Sequence, residues 1–362
     1  MSARAEGPPG GRRIPVAVLG ATGAVGQTFM RMLADHPWFD LVELAASERS
    51  AGKAYGDAAR WIPSAPLAER LARKTVLPCD PAKVTAPIVF SALDSSVAGE
   101  VEGAFAAAGH LVLSNAKNYR MEADVPLLVP EVNASHLALL DTQRTARGWK
   151  GGIVTNPNCA AASALMALAP LHERWGVKTV FATTMQAVSG AGYPGVPSLD
   201  ILGNVIPHIA EEEPKIEREL PKMLGTMEKG RVTPAPMRVS AQANRVPVEH
   251  GHTVCLTIEL GERVSPGHAE EAIRDWRGAA EVRGLPSAPE PPVVVRPEPD
   301  RPQPRRDVDA GHGMQATVGR VRADTILDLR LVVLAHNTVR GAAGCSVLNA
   351  ELLARRGLVP GA

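Results

Sequence analysis

Cys159 lies in the string T-N-P-N-C-A-A-A-S-A-L-M-A-L, where an Asn-Pro-Asn turn runs into an Ala-rich helical segment. The first N–H groups of a helix have no intrahelical partner and carry the positive end of its dipole, so a thiol there is expected to ionise readily. A thiolate attacks carbonyl carbon, which makes this a place for covalent acyl or aldehyde chemistry. Far upstream, Gly20, Gly23 and Gly26 punctuate G-A-T-G-A-V-G between an apolar run and a helical pattern. Glycines at such a turn let the backbone N–H groups approach a pyrophosphate, with Thr22, Ala24 and Val25 completing the cradle. The spacing is G-x-x-G-x-x-G, a variant of the G-x-G-x-x-G fingerprint, and an ordinary glycine turn is the plain alternative. The two signals together fit a thiol that captures an aldehyde or acyl group and a dinucleotide that exchanges hydride with it.

Cys79, Cys255 and Cys345 compete with Cys159, because a free cysteine is more often packing than nucleophile. Cys79 sits in a polar stretch and Cys345 follows Gly-Ala-Ala-Gly. If 252–260 is one strand, Cys255 points away from the face shared by His252, Val254, Leu256 and Ile258. Only Cys159 combines a thiol with a helix start. A thiol nucleophile needs an acid–base partner, usually histidine. Among ten histidines, His252 opens an apolar strand in R-V-P-V-E-H-G-H-T-V-C-L; a surface turn residue is the equal alternative. Arg245 can fork onto a carboxylate or serve as a plain surface charge. Glu211, Glu212, Glu213 and Lys215 read as a solvated helix start, with acids in the first turn.

Cofactor type is read after the second strand, where an acidic residue suits a ribose hydroxyl and Arg or Ser suits a 2′-phosphate. That strand ends at Ser47, followed by Glu48, Arg49, Ser50 and Lys53. Two cations and two hydroxyls favour NADP; Glu48 opposes this if its side chain turns inward, and a solvated loop is the alternative.

The elements that must hold these groups follow a regular pattern. Ile14 to Leu19 is a short apolar run suited to a buried parallel strand, and Phe29, Met32 and Leu33 share one face of the helix after the glycine turn. Leu41 to Ala46, Ile88 to Leu93 and Leu111 to Leu113 repeat the strand signal around helical stretches. This alternation predicts a Rossmann-like, doubly wound parallel sheet over 14–155, preceded by a disordered tail over 1–13. From 156 to 337 longer strand patterns, including T-V-F-A-T-T-M-Q-A-V, H-T-V-C-L-T-I-E-L and I-L-D-L-R-L-V-V-L-A, alternate with segregated helices, which predicts an α+β catalytic domain on a mixed sheet. The Pro- and Arg-rich stretch from S-A-P-E-P-P to R-P-Q-P-R-R reads as one long loop.

The chain has 362 residues, 45% hydrophobic and 21% charged, with net charge +1. That composition fits two soluble globular domains and gives no general polyanion-binding surface, so no nucleic-acid partner is expected. The four cysteines have no metal or disulfide spacing, so no metal is expected and a reducing compartment is. No secretory pattern opens the chain and no apolar run approaches the roughly 18 residues of a membrane span, which predicts a cytoplasmic protein.

Taken in order, the strings resemble aspartate-semialdehyde dehydrogenases of the archaeal and fungal branch over nearly the whole chain. They include G-A-T-G-A-V-G-Q, A-S-E-R-S-A-G-K, S-N-A-K-N-Y-R-M-E-A-D-V-P-L-L-V-P-E-V-N and T-N-P-N-C-A. They continue with T-M-Q-A-V-S-G-A-G-Y-P-G-V-P-S-L-D-I, N-R-V-P-V-x-x-G-H-T and H-N-T-V-R-G-A-A-G. The resemblance implies Cys159 as nucleophile, His252 as acid–base residue and Gln186 as a substrate-positioning group. It implies Arg245 on the α-carboxylate, Glu212 on the α-ammonium, and Lys215, Arg120 and Asn158 at the phosphate. Ser189, Gly190 and Asn337 would hold the nicotinamide end of NADP, and 338–362 would return to the cofactor domain. The implied reaction interconverts aspartyl phosphate and aspartate semialdehyde, with phosphate as co-substrate, in a homodimer or homotetramer.

Three positions depart from the family pattern: His250 replaces a common Asp, Pro214 interrupts an acidic run, and His312 stands where Asn is common. Rival readings stay open. N-acetyl-glutamyl-phosphate reductases resemble this layout but carry N-P-G-C-Y where this chain has N-P-N-C-A. A malonyl-CoA reductase resembles the same branch and would leave the phosphate site idle, and a non-catalytic NADP sensor would not need the thiol.

Overall fold

The computed structural model describes residues 7–361. The expected disordered tail falls partly on residues 1–6, which lie outside that range. Residues 9–12 form a turn and bends, and the Arg13 guanidinium donates to the Phe39 carbonyl.

Six strands form a wholly parallel sheet: β1 (Ile14–Leu19), β2 (Phe39–Ala46), β3 (Val76–Pro78), β4 (Ile88–Ser91), β5 (Leu111–Ser114) and β6 (Gly152–Thr155), in the order β3-β2-β1-β4-β5-β6. The order reverses between β1 and β4, the place where doubly wound sheets open a ligand crevice. β2 begins two residues before the expected start because Phe39 pairs with Ile14, and β4 stops at Ser91. In the Ala24–Leu33 helix the large apolar residues that are buried are Phe29, Met30 and Leu33, whereas Met32 lies at the edge of that face. Phe29 packs on Phe90 with ring centroids 5.0 Å apart, tying helix to sheet.

A mixed sheet follows. It contains β7 (Val177–Gln186), β10 (Arg238–Arg245), β11 (His252–Leu260), β12 (Val293–Arg296), β13 (Ala316–Ala323) and β14 (Leu329–Ala335), while β8 (Thr226–Glu228) and β9 (Arg231–Thr233) form a separate small hairpin. Its strand order is β10-β7-β11-β14-β13-β12. The Pro-rich stretch is not one loop: V-V-V-R inside it pairs with Ala316–Gly319 as β12. Proline flanks that strand without entering it, which leaves four residues free to join a sheet edge.

The helices Cys159–Trp175, Glu212–Met223 and Pro266–Asp275 pack on this sheet, and their apolar residues share one core with it. On β7 and β10 alternate residues stay uncovered, among them Phe181 at 51% exposure. The Gly344–Arg355 helix packs instead against β5 and the Ala24–Leu33 helix, and its leucines belong to the core of the first sheet. No helix among the described residues is long and apolar enough to cross a membrane.

Candidate active site

Cys159 is the first residue of its helix, just beyond the C-terminal end of β6. Asn158 caps that helix: its Oδ1 accepts the N–H groups of Ala160 and Ala161 at 3.0 Å each. The run from Ala160 to Leu171 is buried on every side, so the helix is fixed by packing all round. Gly341 presses on the thiol from a π-helical turn, Val339–Ala343; a Cβ added there would lie 2.7 Å from Cys159 Cβ.

His252 opens β11 at the edge of the same space, completely buried. Its Nε2 lies 3.0 Å from Cys159 Sγ, and its Nδ1 accepts the Ala187 N–H at 3.1 Å. A neutral imidazole has one donor and one acceptor nitrogen, so the Ala187 bond places the ring proton on Nε2, pointing at sulfur. Burial, then Arg245 and His336, push the His252 pKa down, which keeps the ring neutral.

The expected ready ionisation of Cys159 is not what the site gives at rest. Burial, followed by the Glu212 carboxylate, pushes the thiol pKa up, outweighing Arg120, Arg245 and the Ala160 N–H, which pull it down. Desolvation of a single charge exceeds the benefit of one helix end. The other thiols behave as packing groups: Cys345 is buried within a helix, Cys255 lies opposite the buried face of β11, and Cys79 is half-buried beside β3.

Glu212, expected in a solvated helix start, is buried and acts as a hub. Its Oε2 accepts Asn158 Nδ2 at 2.7 Å and Gln186 Nε2 at 3.1 Å, and Oε1 pairs with Lys215 at 3.1 Å. Glu213 turns to the β10 backbone, and Glu211 pairs with Lys117 at the rim. Pro214 falls in the first turn of the Glu212–Met223 helix, where its missing N–H costs nothing. Arg120 donates to Glu219 at 3.0 Å and to the Asn115 carbonyl at 2.8 Å, leaving its buried Nε without a partner. Glu219 also takes the Asn158 N–H. The sequence reading missed Glu219, although Glu212, Lys215 and Glu219 share one helical face at spacings of three and four. Arg245 is buried, not a surface charge; one arm donates to the Ala187 carbonyl at 2.7 Å.

Ser189, Gly190, Asn337, Asn158, Cys159, Arg120, Glu212 and Lys215 line one cleft of ≈ 310 Å³ with Val25 and the segment after β4. Gln186, Arg245 and His252 stand directly behind it, bonded to Glu212, Ala187 and Cys159. Gly190 keeps this space tight: a Cβ there would lie 3.0 Å from the Arg245 guanidinium and 3.1 Å from the His252 ring.

The glycine turn fits a dinucleotide pyrophosphate. Gly20 has φ +71°, and a Cβ on Gly26 would lie 2.3 Å from the Gly20 carbonyl oxygen. Gly23 caps the Ala24–Leu33 helix without any side-chain bond, so its first N–H groups remain available to a phosphate. Gln27 holds the Thr22 carbonyl and Tyr55 the Ala21 carbonyl, which stiffens the turn. Ser47, Arg49, Ser50 and Lys53 form the turn after β2, outside the walls of the central cleft; Glu48 there is exposed rather than turned inward. Among the described residues no cluster of side chains is arranged to hold a metal ion.

Both halves of the chain match known families: residues 15–140 the semialdehyde dehydrogenase NAD binding domain, and residues 168–340 the semialdehyde dehydrogenase dimerisation domain. A nucleotide-type parallel sheet and a mixed sheet with a thiol–imidazole pair between them are thus the two parts of a semialdehyde dehydrogenase. The chain is 51% identical to the aspartate-semialdehyde dehydrogenase of Archaeoglobus fulgidus, covering 96% of this chain and 100% of that one. It is 44% identical to that of Candida albicans, over 94% and 98% of the two chains. A crystal structure of the aspartate semialdehyde dehydrogenase with NADP from Candida albicans superposes with a TM-score of 0.89, covering 96% of this chain and 100% of that chain at 42% identity. The chain belongs to the aspartate-semialdehyde dehydrogenase family.

Proposed function

We propose that the chain catalyses the reversible, NADP-dependent reductive dephosphorylation of L-4-aspartyl phosphate to L-aspartate 4-semialdehyde, through a thioester on Cys159. It would feed lysine, threonine and methionine synthesis and work in the cytoplasm as a homodimer or homotetramer. The observation that carries this reading is the 3.0 Å contact between Cys159 Sγ and a His252 Nε2 whose proton points at sulfur, in a chain half identical to a named relative over its full length. The uncovered face of β7 and β10, with Phe181 exposed, supports a subunit contact on the domain that matches the dimerisation family.

Substrate binding would activate the thiol. An α-ammonium on Glu212 offsets the carboxylate that raises the Cys159 pKa, and Arg245 takes the α-carboxylate. The thiol gives its proton to solvent as substrate seats; the thiolate, held by His252 Nε2–H, bonds to the acyl carbon, the carbon–oxygen bond to phosphate breaks, and the released phosphate takes a proton from solvent. Lys215 and the Arg120 Nε without a partner oppose the phosphate charge. The glycine turn would hold NADPH, which would supply the hydride that reduces the thioester. The oxyanion then formed accepts hydrogen bonds from His252 Nε2–H and the backbone at the start of the Cys159 helix. When the oxyanion collapses to the aldehyde the carbon–sulfur bond breaks and the thiolate returns. On this geometry His252 would serve as a donor throughout, rather than as the acid–base residue the resemblance implies, and the thiolate regains its proton from solvent as product leaves.

The test is oxidation of aspartate semialdehyde by NADP with phosphate or coenzyme A as acyl acceptor. Turnover with phosphate is expected; release by coenzyme A alone would overturn the reading.

A further inference from the structure

The 188–192 segment separates the central cleft from a larger cavity of ≈ 510 Å³, and Ser189, Gly192 and Thr338 line both. His250, which no step above uses, lines the larger cavity beside that segment. Its Nδ1 lies 3.0 Å from Ser189 Oγ, and its ring stacks on His336 with centroids 4.9 Å apart. Ser189 Oγ accepts Asn337 Nδ2 at 2.9 Å, and Asn337 Oδ1 accepts the Gly251 N–H at 2.9 Å. The Gly251 bond fixes the orientation of the Asn337 amide, so Nδ2 is the donor to Ser189. The Ser189 hydroxyl keeps its own proton to give, and His250 Nδ1 is the acceptor within reach. The ring proton then sits on Nε2, facing the Glu249 carboxylate 3.6 Å away.

We propose that His250 is a positioning residue for the hydride step: through Ser189 it holds the hydroxyl and the Asn337 carboxamide in the one orientation that presents them to the nicotinamide. This rests on the functional reading above. The chain of bonds has a direction, Gly251 to Asn337 to Ser189 to His250. The groups around the ring are Glu249, the stacked His336 and, across the cavity, Arg31, Asp309 and His312. Burial, then His250 itself, push the His336 pKa down to about 4, so the stacked ring stays neutral near neutral pH. The His250 side chain is 39% exposed, so its removal leaves no large void.

The test compares NADPH affinity, by fluorescence titration, with kcat and the semialdehyde KM in wild type, His250→Ala, His250→Asn, Ser189→Ala and the double alanine variant. His250→Ala is expected to weaken NADPH binding and lower kcat by about three- to tenfold each, the worth of one hydrogen bond, with the semialdehyde KM unchanged. His250→Asn, whose amide oxygen can accept, should recover most of both. In the Ser189→Ala background His250→Ala should add nothing. Unchanged NADPH affinity in His250→Ala, or additive losses in the double variant, would overturn the proposal. So would a matching change in Cys159 alkylation in the cofactor-free protein, which would trace the effect to a disturbed thiol pocket. A wild type that binds NADPH yet does not oxidise aspartate semialdehyde would defeat the functional reading alone, and the binding comparison would still decide the role of His250.

Discussion

His252 Nε2 meets Cys159 Sγ at 3.0 Å while the opposite nitrogen of the same ring accepts the Ala187 N–H. The backbone at the end of β7 thereby selects the tautomer at the start of β11, two strands that are neighbours in the sheet. A ring held this way donates toward sulfur, and it cannot take up a second proton without losing the Ala187 bond. The resting site is therefore a neutral thiol beside a neutral imidazole, poised rather than charged.

Alkylation of Cys159 tests that state. Burial and Glu212 raise the thiol pKa, so its deprotonated form, and with it the iodoacetamide rate, grows as pH rises beyond the ordinary thiol range. Glu212→Gln removes the second-largest cause and should shift the pH–rate curve toward lower pH, with faster alkylation at any given pH below its plateau. An unshifted curve would show that Glu212 does not act on the thiol.

Cys159→Ala should reduce turnover by roughly three orders of magnitude or more while leaving NADPH affinity within about twofold, because the cofactor cradle is built by another sheet. Steady-state kinetics and fluorescence titration separate the two effects.

Arg245→Lys retains charge but loses the planar fork, and its neighbour Gly190 leaves no slack for repacking. The semialdehyde KM should rise about tenfold or more, with a smaller change in kcat. Equal kinetic constants in variant and wild type would remove Arg245 from the carboxylate site.

Gly341→Ala places a methyl group 2.7 Å from Cys159 Cβ and 3.0 Å from its Cα. Overpacking of this kind costs about 1–3 kcal/mol and moves the reacting sulfur. Both thermal stability and kcat should fall, and kcat should fall by about tenfold or more.

Arg340, wholly buried, pairs with Glu131 and anchors the turn that carries Gly341. Arg340→Met strands a buried carboxylate and should cost about 3–5 kcal/mol in denaturant unfolding. Replacing both partners with apolar residues should recover part of that loss, because no uncompensated charge remains.

Much of this was legible in the residues. Apolar runs of four to six residues separated by helical patterns are the signature of buried parallel strands, and β1 reads directly from I-P-V-A-V-L. The placement of Cys255 opposite the buried face of β11 followed from the two-residue period of a strand. What local pattern could not reveal was set by long-range packing. V-V-V-R is too short and too crowded by proline to announce β12. Glu212 resembles any acidic helix start until the Cys159 helix closes over it. The upward shift of the Cys159 pKa depends on burial, which no helix-end argument contains. The tautomer of His252 depends on Ala187, distant in sequence and adjacent only through β7–β11 pairing.

The central claim is a carbon–sulfur bond on Cys159. Enzyme mixed with aspartate semialdehyde and NADP without phosphate, acid-quenched and digested, should show one aspartyl group added to the peptide bearing Cys159, and phosphate added before the quench should remove it. An unmodified Cys159 peptide from a preparation that turns over normally when phosphate is supplied would contradict the account.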